Sequence, residues 1–307
     1  MKRDFLSIAD WSGEDLAGLL GLSKKVKQYP GNYLSVLQGK SIAMIFEKQS
    51  LRTHVTFDVA LNQLSAHGVY LTQTDISLGK RESVYDTAKN LERWVDGVVV
   101  RTFAHATCVD LASAMRVPVI NALTDYEHPC QAIGDFLTMI EHLGPVKGKK
   151  LVFVGDGNNV CRSLMFLAAK LGMNFVAAAP PGYEPDAKSV KLASAAARKS
   201  GAAVDVSNNP KDAVKQADVV YTDVWTSMGQ EEEREKRLKA FKGFQVNAKL
   251  MSQAKSYAVF MHCLPAHRGE EVTDEVMDSK QSVVFDEAEN RLHSEKAILL
   301  TLLHGER

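Results

Sequence analysis

Short apolar runs rich in valine, isoleucine and phenylalanine alternate with helical patterns along nearly the whole chain of 307 residues. The runs do not alternate strictly with polar residues, which is typical of parallel strands buried on both faces. Between them lie segments of helical period such as 82–95, where apolar residues recur on one face. We predict strands at Ser41–Phe46, Gly97–Phe103, Pro118–Leu123, Leu151–Gly155, Phe175–Ala179, Val219–Val224, Ala258–Cys263 and Ser282–Phe285.

Repetition of strand, helix and strand predicts the α/β class, with two domains built on doubly wound parallel sheets. Segment 144–150 clusters glycine, proline and charge after a predicted helix, as domain boundaries do. We therefore place one domain at 1–145, joined by the C-terminal helix 287–307, and a second domain at 146–286. Open α/β sheets bind ligands beyond the carboxyl ends of their strands, so we expect the active site in the cleft between the domains.

Composition narrows the class of partner. The 37 basic and 37 acidic side chains cancel, so the basic excess of proteins that bind nucleic acid or membranes is missing. No run approaches the roughly 18 apolar residues of a membrane span, and no signal-like apolar run follows Lys2 and Arg3. The four cysteines show no paired spacing, which favours a reducing, cytoplasmic location. We expect a small-molecule partner.

The segment after the first predicted strand has the residues of a phosphate site. Ser50, Arg52 and Thr53 stand in the opening turn of a predicted helix, where exposed N–H groups add to two hydroxyls and a guanidinium. A plain helix cap is the competing interpretation of Ser50. The preceding strand and the arginine favour an anion, so we hypothesise an enzyme that acts on a phosphorylated small molecule.

Other predicted strands also end in polar or thiol groups. Arg101 either faces a cleft or forms a structural ion pair, and its position leaves both open. His128 precedes Pro129 at a helix start, where it is as well placed to cap the helix as to bind a ligand, and Gln131 can equally face solvent. Cys263 follows an apolar run and is either an inert core thiol or part of a site.

The segment 155–160 partly matches the dinucleotide fingerprint GxGxxG. Its third glycine is Val160, and the next strand lacks the acidic residue that holds a ribose, so we expect no nicotinamide cofactor and no other cofactor. Its two asparagines can present amides to an amino acid, and Asp223 can pair with an ammonium group. No spacing resembles a zinc site, so we expect no metal, and no GxSxG elbow supports serine hydrolysis.

Taken in order, these segments resemble the ornithine carbamoyltransferase family over essentially the whole chain. Two of them, 223–229 and 261–265, indicate ornithine rather than aspartate as the acceptor. The resemblance implies transfer of the carbamoyl group of carbamoyl phosphate to the side-chain amine of L-ornithine, which gives L-citrulline and phosphate. It also implies a homotrimer in which a loop at about 75–82 completes the neighbour's site.

The resemblance assigns roles to individual residues. It implies catalysis by Arg52, Arg101, His128 and Cys263, and ornithine binding by Asn159, Asp223, Ser227 and Met228. It implies carbamoyl phosphate binding by Ser50, Leu51, Arg52, Thr53, Ser77, Arg101, His128, Pro129, Cys130, Gln131, Cys263, Leu264 and Arg291.

The chain departs from the family's pattern at three positions. The first motif usually reads Ser-Thr-Arg-Thr-Arg, and here Leu51 and His54 replace its first threonine and its second arginine; Ser77 stands where a glutamine is usual. Leu51 can still donate its backbone N–H, so we expect the phosphate cradle to survive with a lower affinity. The alternatives are a sister transferase that uses aspartate or putrescine, a nicotinamide-dependent dehydrogenase, and a non-catalytic amino-acid-binding protein on the same fold.

Overall fold

The computed structural model describes residues 2–76, 78–79, 81–227 and 229–305. They form two compact units, the first comprising residues up to Leu137 together with those from Glu289 onward, and the second comprising Thr138–Ala288. Each unit has its own sheet of parallel strands with helices, as predicted. The first division lies inside a helix and precedes the segment 144–150, where we place the boundary.

The sheet of the first unit has the strand order β2-β1-β3-β4, and all its strands are parallel. Residues of β1 and β3 are buried because helices pack on them, with Leu91, Cys108 and Leu111 in one core with Val98 and Val100. The strands are β1 (Ser41–Phe46), β2 (His67–Thr72), β3 (Gly97–Arg101) and β4 (Val119–Leu123). The helices are α1 (Gly13–Gln28), α2 (Leu51–Gln63), α3 (Gln73–Ile76), α4 (Val84–Leu91), α5 (His105–Ala114) and α6 (Pro129–Leu143).

The sheet of the second unit has the order β7-β6-β5-β8-β9, again all parallel. Its strands are β5 (Lys150–Val154), β6 (Asn174–Ala178), β7 (Val204–Ser207), β8 (Val219–Thr222) and β9 (Val259–His262). Its helices are α7 (Asn159–Leu171), α8 (Ala187–Ser200), α9 (Pro210–Ala213), α10 (Arg234–Ala240), α11 (Ala248–Met251) and α12 (Asp274–Met277), and the last helix is α13 (Val284–Leu303). No helix of the described ranges is both long and apolar enough to span a membrane.

Each sheet has one point at which the strand order reverses. In the first unit it lies between β1 and β3, and in the second between β5 and β8. Loops from neighbouring strands leave in opposite directions at such a point, and the crevice between them is where open α/β sheets bind ligands. The topology thus marks the loops after β1, β3, β5 and β8.

The predicted strands agree with the structure except at 282–285. There Ser282 forms only an isolated bridge with Phe260, and α13 begins at Val284. A short apolar run does not distinguish a strand from a buried helix start, and the acidic first turn, Asp286 and Glu287, is a helix signal. Strands β2 and β7 were not predicted, because both are edge strands with partly exposed polar residues.

The loop after β5 approaches another part of its own unit closely. The N–H of Gly157 donates to the Tyr183 carbonyl at 2.8 Å, and a Cβ on this glycine would lie 2.2 Å from the Pro185 nitrogen. Only glycine fits there without displacing backbone.

We predict that Gly157→Ala lowers the free energy of unfolding by about 2 kcal/mol or more, because the backbone at 184–185 has to move. The control is Gly21→Ala in α1, where a Cβ meets nothing within 4 Å. It should stabilise the protein by about 0.5–1 kcal/mol, since alanine is the better helix former. Differential scanning calorimetry of both variants checks this, and an unchanged unfolding temperature of Gly157→Ala would contradict it.

Candidate active site

The N-terminus of α2 lies directly after β1, at the reversal point of the first sheet. Ser50 caps this helix in an extended conformation, and its Oγ accepts the N–H of Thr53 at 3.2 Å. The side chain of Leu51 is 73% exposed, so it closes nothing within this unit. His54, one position further, stacks on Tyr70 with ring centroids 3.8 Å apart. The serine is therefore a helix cap, and the helix N-terminus that it defines is where the sequence predicts phosphate.

The loop after β1 is bonded to the end of β3. The N–H of Glu47 donates to the Arg101 carbonyl at 2.9 Å, and the Thr102 hydroxyl donates to the Glu47 carboxylate. Arg101 is only 5% exposed. Lys48 lies over the Phe103 ring, and its burial together with the charge of Arg101 lowers the pKa of Lys48. Lys48 is not among the residues predicted for the site, although it stands between a strand end and Ser50 in the sequence.

Arg291 connects three helices of the first unit. Its Nη1 donates to Gln131 on α6, and its Nη2 donates to Thr53 Oγ1 on α2 at 3.2 Å. Gln131 in turn donates to Asp135 at 2.7 Å. All four side chains are at most 2% exposed, so the structure brings three predicted ligand-binding residues together in a buried cluster.

Arg291 also donates to Glu295, one turn later on α13. Burial outweighs the attraction of Arg291 and raises the pKa of Glu295 to about 7. No motif marked Glu295, because its partner is fixed by the helix face that it occupies.

His128 precedes α6, whose first residue is Pro129. Burial, reinforced by the positive charges of Arg291, Arg101 and Arg52, holds the pKa of His128 well below its ordinary value. The imidazole is therefore neutral at pH 7, with an N–H to donate. The adjacent Glu127 accepts the N–H of Ile8 at 3.1 Å and so fixes this loop on the N-terminal segment.

Cys130 lies in the first turn of α6, but its thiol is occupied. It donates to the Asn121 carbonyl at 3.3 Å, and burial raises the pKa of this thiol well above its usual value. A thiol that stays protonated and bonded to backbone supports the shape of the site and is no nucleophile.

In the second unit, Asp223 follows β8 and gathers groups from three strand ends. Its carboxylate accepts hydrogen bonds from Asn158 Nδ2 at 2.7 Å, from Cys263 Sγ at 3.2 Å and from the Val224 N–H at 2.8 Å. Asn159 Oδ1 accepts the N–H of Val160. The predicted Asp223 and Cys263 are in contact, and Asn158 also contacts this carboxylate, while the ornithine-binding role of Asn159 stays a prediction.

A buried brace holds the turn after β9. His262 Nδ1 accepts the Leu264 N–H at 2.8 Å, so its Nε2 carries the proton that it donates to Glu271 at 3.2 Å. Leu264 has a φ of 57° and precedes a cis peptide bond to Pro265. Asp223, His262 and Cys263 lie near enough together for a shared metal ion, but both nitrogens of His262 are already engaged. This set is therefore a poor metal site, and the brace instead fixes the position of Cys263.

An ion pair of Arg237 fixes the loop that carries Ser227. Asp156, at the end of β5, pairs with Arg237 at 2.9 Å, and the same Nη1 donates to the Trp225 carbonyl at 3.0 Å. The Ser227 N–H donates to Gln230 at 3.1 Å. Ser77 and Met228, predicted for the two substrates, lie outside the described residues.

Comparison with known proteins shows the family of the chain. Residues 3–141 match the family model of the aspartate/ornithine carbamoyltransferase carbamoyl-P binding domain, and residues 147–302 match that of the Asp/Orn binding domain. The chain belongs to the aspartate/ornithine carbamoyltransferase family. In this carbamoyltransferase, Gly157 occupies the position of the second glycine in the dinucleotide fingerprint. In a dinucleotide site that glycine leaves room for pyrophosphate, whereas here Gly157 packs against backbone of its own chain.

Its relatives within the family match it over nearly their full length. An ornithine carbamoyltransferase of Pyrococcus horikoshii is 52% identical over 305 residues, with 99% of this chain and 96% of that protein covered. The solved structure of the Pyrococcus furiosus ornithine carbamoyltransferase has a TM-score of 0.96 at 49% identity, with 100% and 98% covered. The anabolic enzyme of Campylobacter jejuni has a TM-score of 0.94 at 38% identity, with both chains fully covered at 100%.

The surroundings of the four cysteines predict that Cys263 alone reacts quickly with a thiol reagent. Cys108, Cys130 and Cys161 are buried, and burial raises the pKa of each, that of Cys108 to about 12, whereas Cys263 is partly exposed. Titration of the native protein with 5,5′-dithiobis(2-nitrobenzoic acid) should show one fast thiol. Cys263→Ser should abolish this phase, and a second equally fast thiol would contradict the prediction.

Proposed function

We propose that this protein is an ornithine carbamoyltransferase, which transfers the carbamoyl group of carbamoyl phosphate to the side-chain amine of L-ornithine. The contact of Asp223 with Cys263 and Asn158 carries the proposal, since a carboxylate at a strand end suits an acceptor that bears ammonium groups. Full-length relatives named ornithine carbamoyltransferase support the same acceptor. The match of residues 3–141 to the family's carbamoyl-P binding domain supports carbamoyl phosphate as the donor.

In the reaction the neutral amine attacks the carbamoyl carbon and a C–N bond forms, while the C–O bond to phosphate breaks with its electron pair leaving on phosphate. The proton that the attacking nitrogen loses passes to this phosphate, which leaves as hydrogen phosphate. Negative charge develops on the carbonyl oxygen, and the donors proposed for it are Arg101, Thr53 and the neutral N–H of His128. Each such donor is worth about 3 kcal/mol of transition-state stabilisation. Arg52 and the N-terminus of α2 offset the charge of the departing phosphate. Ser50, Leu51, Gln131 and Arg291 complete the donor site.

The acceptor amine has to lose a proton before it can attack. Asp223 is proposed to pair with an ammonium group of ornithine, with Cys263 as the adjacent thiol that orients it. Asn159, Ser227 and Met228 are proposed as further ornithine contacts, and Leu264 as part of the carbamoyl phosphate site. Exclusion of water would protect the bound carbamoyl phosphate from hydrolysis.

We also infer a homotrimer that works in the cytoplasm, with Ser77 on a loop that completes the site of a neighbouring subunit. Resemblance to the family supports the trimer, and the absence of paired cysteine spacing supports the compartment. Arginine biosynthesis is the proposed role, because relatives from Pyrococcus furiosus and Campylobacter jejuni are described as anabolic.

The identity of the acceptor substrate is tested by measuring citrulline formation. The carbamoylated products of the other acceptors are assayed in parallel. Carbamoyl phosphate is offered with L-ornithine, L-aspartate, putrescine or N-acetylornithine. We expect turnover with ornithine alone. Turnover with aspartate or putrescine would replace the proposed acceptor, and calorimetric binding of carbamoyl phosphate without any turnover would indicate a non-catalytic binding protein.

For the transition state, we predict that Arg101→Ala lowers kcat at least about a hundredfold, because a buried donor to the developing charge is lost. The matched control is Arg116→Ala, whose side chain is 72% exposed. It should leave kcat within about twofold, since exposed ion pairs contribute little. Steady-state kinetics on both variants decide the matter, and near-normal turnover of Arg101→Ala would remove this arginine from the mechanism.

A further inference from the structure

Glu295 is buried behind the predicted carbamoyl phosphate site and belongs to no motif of the sequence. It is 0% exposed and lies one turn after Arg291 on α13. Its Oε1 accepts a hydrogen bond from Arg291 Nη2. Glu295 thus reaches the ligand-binding residues only through Arg291.

The Arg291 nitrogen that donates to Glu295 also contacts a residue of the predicted site. Nη2 also donates to Thr53 Oγ1, while Nη1 donates to Gln131. A guanidinium is planar, so fixing one edge fixes the direction of its other N–H groups. A shift of Nη2 would therefore change the hydrogen bonds of Arg291 to Thr53 and to Gln131 together.

The stem of Arg291 is confined from the opposite side. Gly134 of α6 lies against it, and a Cβ on this glycine would be 3.1 Å from Arg291 Cδ and 3.4 Å from the Arg291 nitrogen. The side chain is held between the glycine surface of α6 and the carboxylate of Glu295. Arg291 has little freedom while both are present.

The negative charge of Glu295 also stabilises the Arg291 guanidinium electrostatically. Arg52, Arg101 and Arg291 all bear on His128, so the first unit concentrates positive charge at this point. The negative groups that bear on Arg291 include Glu295 and Asp135. A buried guanidinium needs such a partner to keep its geometry before an anion arrives.

We propose that Glu295 is a positioning residue for carbamoyl phosphate, which acts by holding the Nη2 edge of Arg291 against Thr53. This inference rests on the proposed function, because it assumes that Arg291 and Thr53 contact that substrate. Glu295 itself touches neither substrate.

The test compares Glu295→Ala with Glu295→Gln, which keeps an acceptor oxygen for Nη2. Glu295→Ala should weaken carbamoyl phosphate binding at least about tenfold by isothermal titration calorimetry and lower kcat, while the KM for ornithine stays within about twofold. Glu295→Gln should restore affinity to within about threefold of the wild type. The control is Glu289→Ala on the same helix, whose side chain is 54% exposed and should leave all constants unchanged.

A second variant disturbs Arg291 without changing Glu295. Gly134→Ala presses on the arginine stem and should also weaken carbamoyl phosphate binding about threefold to tenfold, again with little change in the KM for ornithine. It keeps the proposal testable if Glu295→Ala does not fold.

The outcomes separate the inference from the proposed function. Unchanged carbamoyl phosphate affinity in folded Glu295→Ala or in Gly134→Ala, with an active wild type, would overturn the positioning role alone. Equal losses in Glu295→Ala and Glu295→Gln would also overturn it, since the acceptor geometry would then be irrelevant. A wild type that does not bind carbamoyl phosphate would overturn the proposed function and the inference with it.

Discussion

The hydrogen bonds of the buried Arg291 guanidinium are the interaction on which the predicted carbamoyl phosphate site of the first unit depends. The guanidinium joins α2, α6 and α13 through Thr53, Gln131 and Glu295, and at 1% exposure it has exchanged water for these partners. Burying a charge is costly unless it is paired and hydrogen-bonded, so all its partners have to be in place together. The same charge helps to keep His128 neutral. One ionic group thus joins three helices and adds to the effect of burial that keeps a neighbouring donor neutral.

One topological rule applies to each unit separately. Arg101 of the first unit ends β3 and Asp223 of the second follows β8, and both strands flank the point where the strand order of their own sheet reverses. Parallel strands bring their carboxyl ends to one edge, so residues distant in sequence meet there without long loops. In the second unit this rule brings Asn158, Asp223 and Cys263 into contact. The family relationship adds which substrates such an arrangement serves.

Much of the fold follows from the apolar runs, because central parallel strands such as β3 are buried on both faces and leave a continuous signal. Edge strands lack that signal, and the run at 282–285 shows that four residues do not separate a strand from a helix start. Strand-end residues such as Arg101 and Asp223 could be selected because their position alone places them at a sheet edge. Glu295 could not, since its role depends on tertiary partners such as the Arg291–Thr53 contact, which spans 238 residues.

The protonation of Glu295 links the site to the stability of the whole first unit. In an unfolded chain the pKa of Glu295 is near its ordinary value of 4.5, whereas in the folded chain this pKa is about 7. Between these values the folded state binds more protons than the unfolded state, so this group's contribution to stability is greatest at acidic pH and is lost as the pH rises through 7. Near pH 7, ionisation of the carboxyl group that aligns Arg291 therefore lowers the free energy of unfolding.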